Sequence, residues 1–135
     1  MMMTGHVLLG GAMGEVIENP YAAFSLSVIV HVLIDKIPHF FPDKRTAQNA
    51  MIALDLIFAT SALLFFWFGP FPKSVFFGGL GGVTVDIILV GIPIVLKSKL
   101  GQWHINRQPH MTREIFLLTD VALIVISVIL LWSFK

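Results

Sequence analysis

The stretch "NPYAAFSLSVIVHVLIDKIPH", residues 19–39, decides how the rest of the chain is read. Asn19 before Pro20 is a helix start, because the Asn side chain can accept from the first amides while proline carries no amide to leave unsatisfied. An apolar run follows, and Pro38 stops it, so a helix is predicted over 20–37. Ionisable groups in this apolar helix gather at its far end: His31 and Asp35 stand at i and i+4 on one face, and His39 follows just past the proline. A membrane span with a polar end fits this pattern.

Composition selects the membrane. The chain has 135 residues, 56% of them hydrophobic and 13% charged, with a mean hydropathy of +0.86. A soluble domain of this size has too little interior to hide so much apolar surface. The expected fold is therefore all-α: a polytopic integral membrane bundle of about five helices, predicted over 1–18, 20–37, 46–68, 73–97 and 113–134 and forming a single domain over 1–135. Thr46 and Thr112 supply caps, "GPFP" at 69–72 separates two helices, and Pro93 marks a kink or an early end. The start "MMMTGHVLLGGAMG" has no Lys or Arg and no small-residue cleavage site, so it reads as retained structure.

The net charge of +1 and the scattered basic residues exclude nucleic acid as a partner. With no cysteine there is no disulfide and no thiolate ligand, so any metal is held by nitrogen and oxygen. Lys36, Lys44, Arg45, Lys97, Lys99, Arg107 and Arg113 fall on one side of five alternating helices, Lys73 and Lys135 on the other. Basic residues collect in cytoplasmic loops, which places the chain in the plasma (inner) membrane with its N-terminus cytoplasmic and its C-terminus outside. Tyr21, Trp67 and Trp132 then share the outer interface, where amphipathic rings collect.

A carboxylate inside a span costs about 2.5–3.5 kcal/mol on insertion scales, so each one requires a reason. At about 1.5 Å per residue, His31 lies about 8 Å inside the cytoplasmic end of its helix, Asp120 about 10 Å, Asp55 about 14 Å and Asp86 about 16 Å into theirs. His104 and His110 lie in the second loop of the same side. The candidate metal ligands are His31, Asp35, His39 and His104, an open nitrogen–oxygen set suited to zinc, manganese or iron, with no organic cofactor. Asp86 and Asp55, deprived of water by burial, are the candidate catalytic bases. His110, beside Pro109, faces water in this reading. The "GGLGGVTV" run, 78–85, has no Lys-Ser/Thr and is read as a surface for close helix packing, matched by the small-xxx-small spacing of Gly10 and Gly14.

Gly5-His6 followed by "VHVLIDKIPH" resembles a group of small bacterial inner-membrane, metal-dependent hydrolases, in which an early Gly-His is paired with an acidic residue followed shortly by Pro and His. The resemblance covers about the first 40 residues. It implies that His6, Asp35 and His39 are the matched positions, with His31 one turn before. The group's second segment, an Arg-Gly followed by Thr-His-Ser, is absent, and "WHINRQPHMT", 103–112, is a loose counterpart.

The function expected from these readings is metal-dependent hydrolysis of an ester or phosphoester in an amphiphilic small-molecule substrate, with membrane lipid as the surrounding partner. The alternative is a non-enzymatic membrane protein whose Asp and His residues carry protons or cations, or bind helices together. The apolar outer halves "SALLFFWF" and "VISVILLWS" favour a one-sided cavity over a channel, and the oligomeric state stays open.

Overall fold

The structure, a computed structural model, describes residues 3–35, 45–89, 99 and 113–133. Among these it is all-helical, with five long helices: α1 (Met3–Ile17), α2 (Pro20–Ile34), α3 (Arg45–Phe68), α4 (Lys73–Leu89) and α5 (Arg113–Ser133). The helix count and class agree with the expectation. Residues 36–44, 90–98 and 100–112 lie outside the described set, and with them the expected continuations of the second and fourth helices.

The local signals act as their chemistry dictates. Asn19 Oδ1 accepts from the amides of Tyr21 at 3.0 Å and Ala22 at 3.1 Å, so α2 starts at Pro20. Glu18, at φ 59°, supplies the left-handed residue that reverses the chain between α1 and α2. At the other end α2 stops with Asp35 as its cap, before Pro38 is reached.

α4 is the central helix, packed against both α1 and α2. The α1–α4 pair is antiparallel and keeps one register throughout: Gly10 faces Gly78, Gly14 faces Ser74, and Gly82 faces His6. A Cβ added at Gly10, Gly14, Gly78 or Gly82 would overlap a backbone carbonyl of the opposite helix. This is the close approach that the spacing of Gly10 and Gly14 and the "GGLGGVTV" run predict. Gly81, on another face of α4, lies against the backbone of Phe24 in α2. Phe66 of α3, 1% exposed, covers Gly11 of α1.

Among the described residues the buried apolar core is small: Val7, Ala12, Ala59, Phe66, Val75, Val83 and Leu131. Buried polar and charged side chains, among them His6, His31, Asp35, Asp55 and Asp120, are as numerous as buried apolar ones among the described residues. Large apolar side chains instead point outward, as Ile57 and Phe58 do on α3, Leu33 on α2 and Ile129 on α5. One described segment, Asn49–Phe68, is both long and apolar enough to cross a membrane, with 20 residues and a mean hydropathy of 2.0. α1 and α2, at 15 residues each, reach about 22 Å and fall short of a hydrocarbon core of about 30 Å.

Candidate metal centre

The antiparallel and parallel pairings bring the start of α1, the end of α2 and the last turns of α4 to one end of the bundle. His6 stands one turn into α1, His31 one turn before the end of α2, Asp35 at its cap and Asp86 one turn after Gly82 on α4. The two imidazoles stack with centroids 4.0 Å apart and planes tilted by 32°. Asp35 joins them: its Oδ1 lies 3.1 Å from His6 Nε2 and its Oδ2 lies 3.0 Å from His31 Nε2. His6, His31 and Asp35 are all buried, and their ligand atoms lie within 4.8 Å of one another.

The tautomer of His31 follows from its partners. Its Nδ1 bonds the carbonyl oxygen of Gly82, and a carbonyl only accepts, so Nδ1 carries the hydrogen. In the neutral ring Nε2 is then a lone pair, aimed at Asp35 and at Asp86 Oδ1, 3.6 Å away. A lone pair facing two carboxylates is stable only with a proton or a cation between them. The same polarity is imposed by the backbone, because Asp35 sits at the C-terminal, negative end of α2, where an anion is misplaced unless something positive accompanies it.

The donor set fits a metal ion. Two imidazole nitrogens and a carboxylate form an open nitrogen–oxygen site, and a ring nitrogen held by a backbone carbonyl on its far side is the usual way a histidine ligand is oriented. Ligand atoms about 2.0–2.1 Å from a tetrahedral zinc lie about 3.3 Å apart. The His–Asp separations of 3.0 and 3.1 Å, each to a different oxygen of Asp35, are a few tenths short of that, and one ligand atom from each residue lies within 4.8 Å of the others. The cavity beside the two rings continues between α1 and α2 and is lined by Leu9, Met13, Ser27 and Val30 among others.

Of the residues singled out in the sequence, the structure brings together His31, Asp35 and Asp86. His39 and His104 lie outside the described residues. Asp55 has a different task. Its Oδ2 accepts from the Met3 amide at 2.7 Å, and its Oδ1 accepts from the Thr4 amide at 3.0 Å and the Thr4 hydroxyl at 2.6 Å. Asp55 therefore caps α1 from the neighbouring helix, engaging both oxygens and countering the positive end of that helix dipole. These three hydrogen bonds give Asp55 a structural part at the start of α1. Replacing it with Asn removes a charge-assisted cap of about 1.5–3 kcal/mol, so hydrogen exchange at Met3 and Thr4 should quicken by about tenfold or more while the α2 amides keep their rates.

His6 is the residue that spacing alone did not place in the ligand set. Its partners lie 25 and 29 positions along the chain, and the available signals were its position on the same side of the bundle and the Gly-His of the resemblance. Comparison with known proteins adds no relative: no family model, no curated protein and no solved structure matches the chain.

Proposed function

We propose that the protein is a membrane-embedded, metal-dependent hydrolase that cleaves an ester or phosphoester of an amphiphilic substrate at one end of its bundle. The observation that carries the reading is the buried His6–His31–Asp35 cluster, three ligand-type side chains from two helices converging on one point. The resemblance through Gly5-His6 and the Asp-Lys-Ile-Pro-His segment supports the same chemistry. The outward-facing apolar side chains support the bilayer as the surrounding solvent, and the basic residues of the loops support a cytoplasmic opening.

In this reading His6 Nε2, His31 Nε2 and Asp35 hold the ion, and zinc, manganese and ferrous iron all suit the set. A divalent ion there supplies Lewis acidity and lowers the pKa of water at the site. Gly82 keeps the proton of His31 on Nδ1, so Nε2 stays available. Asp86 is less buried than Asp35 and stands beyond the three-residue group, close enough to His31 to take a proton from the attacking water at Oδ1. The centre lies within about one helical turn of the ends of α1 and α2, a depth that suits a substrate whose scissile bond sits at headgroup level and whose tail stays in the lipid.

The test is hydrolysis of short-chain acyl and phosphodiester amphiphiles by purified protein in detergent. Activity should disappear with a chelator and return with added zinc or manganese. Asp86→Asn should retain metal and lower kcat by about 10²–10⁴-fold, the usual weight of a general base. A protein that binds metal and cleaves neither class of ester contradicts the hydrolase reading.

A further inference from the structure

Gly82 touches both histidines of the cluster by its backbone. On one side its Cα lies against the carbonyl of His6, so closely that a Cβ would overlap that oxygen. On the other, its own carbonyl accepts the Nδ1 hydrogen of His31. One turn further along α4, Asp86 reaches His31 Nε2 at 3.6 Å. A single peptide unit thus sets how near α1 brings His6, which way the ring of His31 faces and which of its nitrogens carries the hydrogen.

We infer that Gly82 is the positioning residue of the metal centre, separate in kind from the glycines that only let α1 and α4 pack. The inference rests on the reading of His6, His31 and Asp35 as metal ligands. Gly10 and Gly78 make the same close approach one turn further along the same two helices, whereas the carbonyl that meets His31 Nδ1 is that of Gly82. Alanine at Gly10 or Gly82 therefore imposes a comparable steric demand, a methyl group on the facing carbonyl, at two places that differ in what they hold. In an open helix alanine is the better helix former, so any harm done by either substitution comes from the contact. At Gly82 the methyl group moves α4 away from α1, withdrawing the acceptor from His31 and the His6 backbone from its seat together.

The experiment compares the full chain, wild type, Gly10→Ala and Gly82→Ala, in detergent, by titration with Co²⁺ followed by its absorption bands and by ¹⁵N spectra of labelled histidine. Gly82→Ala should weaken Co²⁺ binding by about 10- to 100-fold, the usual effect of removing a partner that orients a ligand, and alter the bands of the residual complex. Gly10→Ala should keep the wild-type affinity and spectrum. The histidine spectra need no metal: wild-type His31 should carry its hydrogen on Nδ1, and Gly82→Ala should lose the signature of that hydrogen bond. Equal losses of Co²⁺ in both variants would overturn the inference, as would wild-type affinity in a folded Gly82→Ala protein. Should Gly82→Ala fail to fold, a bare Nδ1 on wild-type His31 would overturn it alone. A wild-type protein that ignores Co²⁺ but shows the Nδ1 hydrogen contradicts the metal reading and leaves the orientation of His31 by Gly82 standing.

Discussion

Asp35→Asn is expected to abolish metal binding while leaving the bundle folded. The carboxylate touches both imidazoles, at 3.1 Å to His6 and 3.0 Å to His31, so the change removes the negative charge and one of the two oxygens at once. Loss of an outer hydrogen-bond partner costs about 10–100-fold in metal affinity, and loss of an anionic ligand should exceed that. Asparagine keeps the shape, and its amide can donate to the lone pair of His31 Nε2, which preserves packing. Asp35→Ala offers no such partner. It leaves two stacked imidazoles buried without their carboxylate and should destabilise the fold by about 3–5 kcal/mol, the cost of breaking a buried pair from one side. Competition with a chelating dye reads the first effect and thermal unfolding of the metal-free proteins reads the second. An asparagine variant that binds as tightly as wild type would remove Asp35 from the ligand set.

The second large effect concerns the outer surface. Phe58 stands near the middle of Asn49–Phe68 and is 60% exposed. In a bilayer, Phe58→Arg places a cation at the depth of greatest cost, about 2.5–3.5 kcal/mol by insertion scales, roughly a hundredfold on insertion. On the surface of a water-soluble protein the same change falls within about 0.5 kcal/mol and raises solubility. Phe58→Leu serves as the neutral control. The arginine variant should disappear from the membrane fraction relative to the leucine variant. Recovery of wild type and Phe58→Arg alike as soluble protein without detergent would contradict the bilayer as the solvent of α3.

Much of this architecture was legible in local chemistry. Asn19-Pro20 marks the start of α2 without reference to any other helix, and His31 with Asp35 forms a one-face pair by helical geometry alone. The α1–α4 contact was also legible, because glycines at i, i+4 in two apolar segments have few other uses. Register was not. Whether His6 or a loop histidine completes the pair depends on how far α1 slides along α2 and α4, and no single segment encodes that. The axial offset of α3 was hidden for the same reason: Asp55 stands ten residues into α3 yet meets the first residues of α1, so α3 overhangs the start of α1 by about 15 Å. A carboxylate that looks deep in its own helix is thereby level with the end of another. Counting residues along α4 alone likewise does not show that Asp86 comes level with His31, 3.6 Å from its Nε2.

The account stands on the cluster of His6, His31 and Asp35 holding an ion, and metal content tests it most directly. Wild type and His6→Ala, purified in detergent without chelators from metal-replete cells, are compared by elemental mass spectrometry and by re-addition of zinc and manganese. Wild type should carry about one divalent ion per chain, the capacity of a single three-ligand site, and His6→Ala should carry almost none. A wild-type protein that is metal-free and takes up neither ion, or a His6→Ala protein that holds as much as wild type, would contradict it.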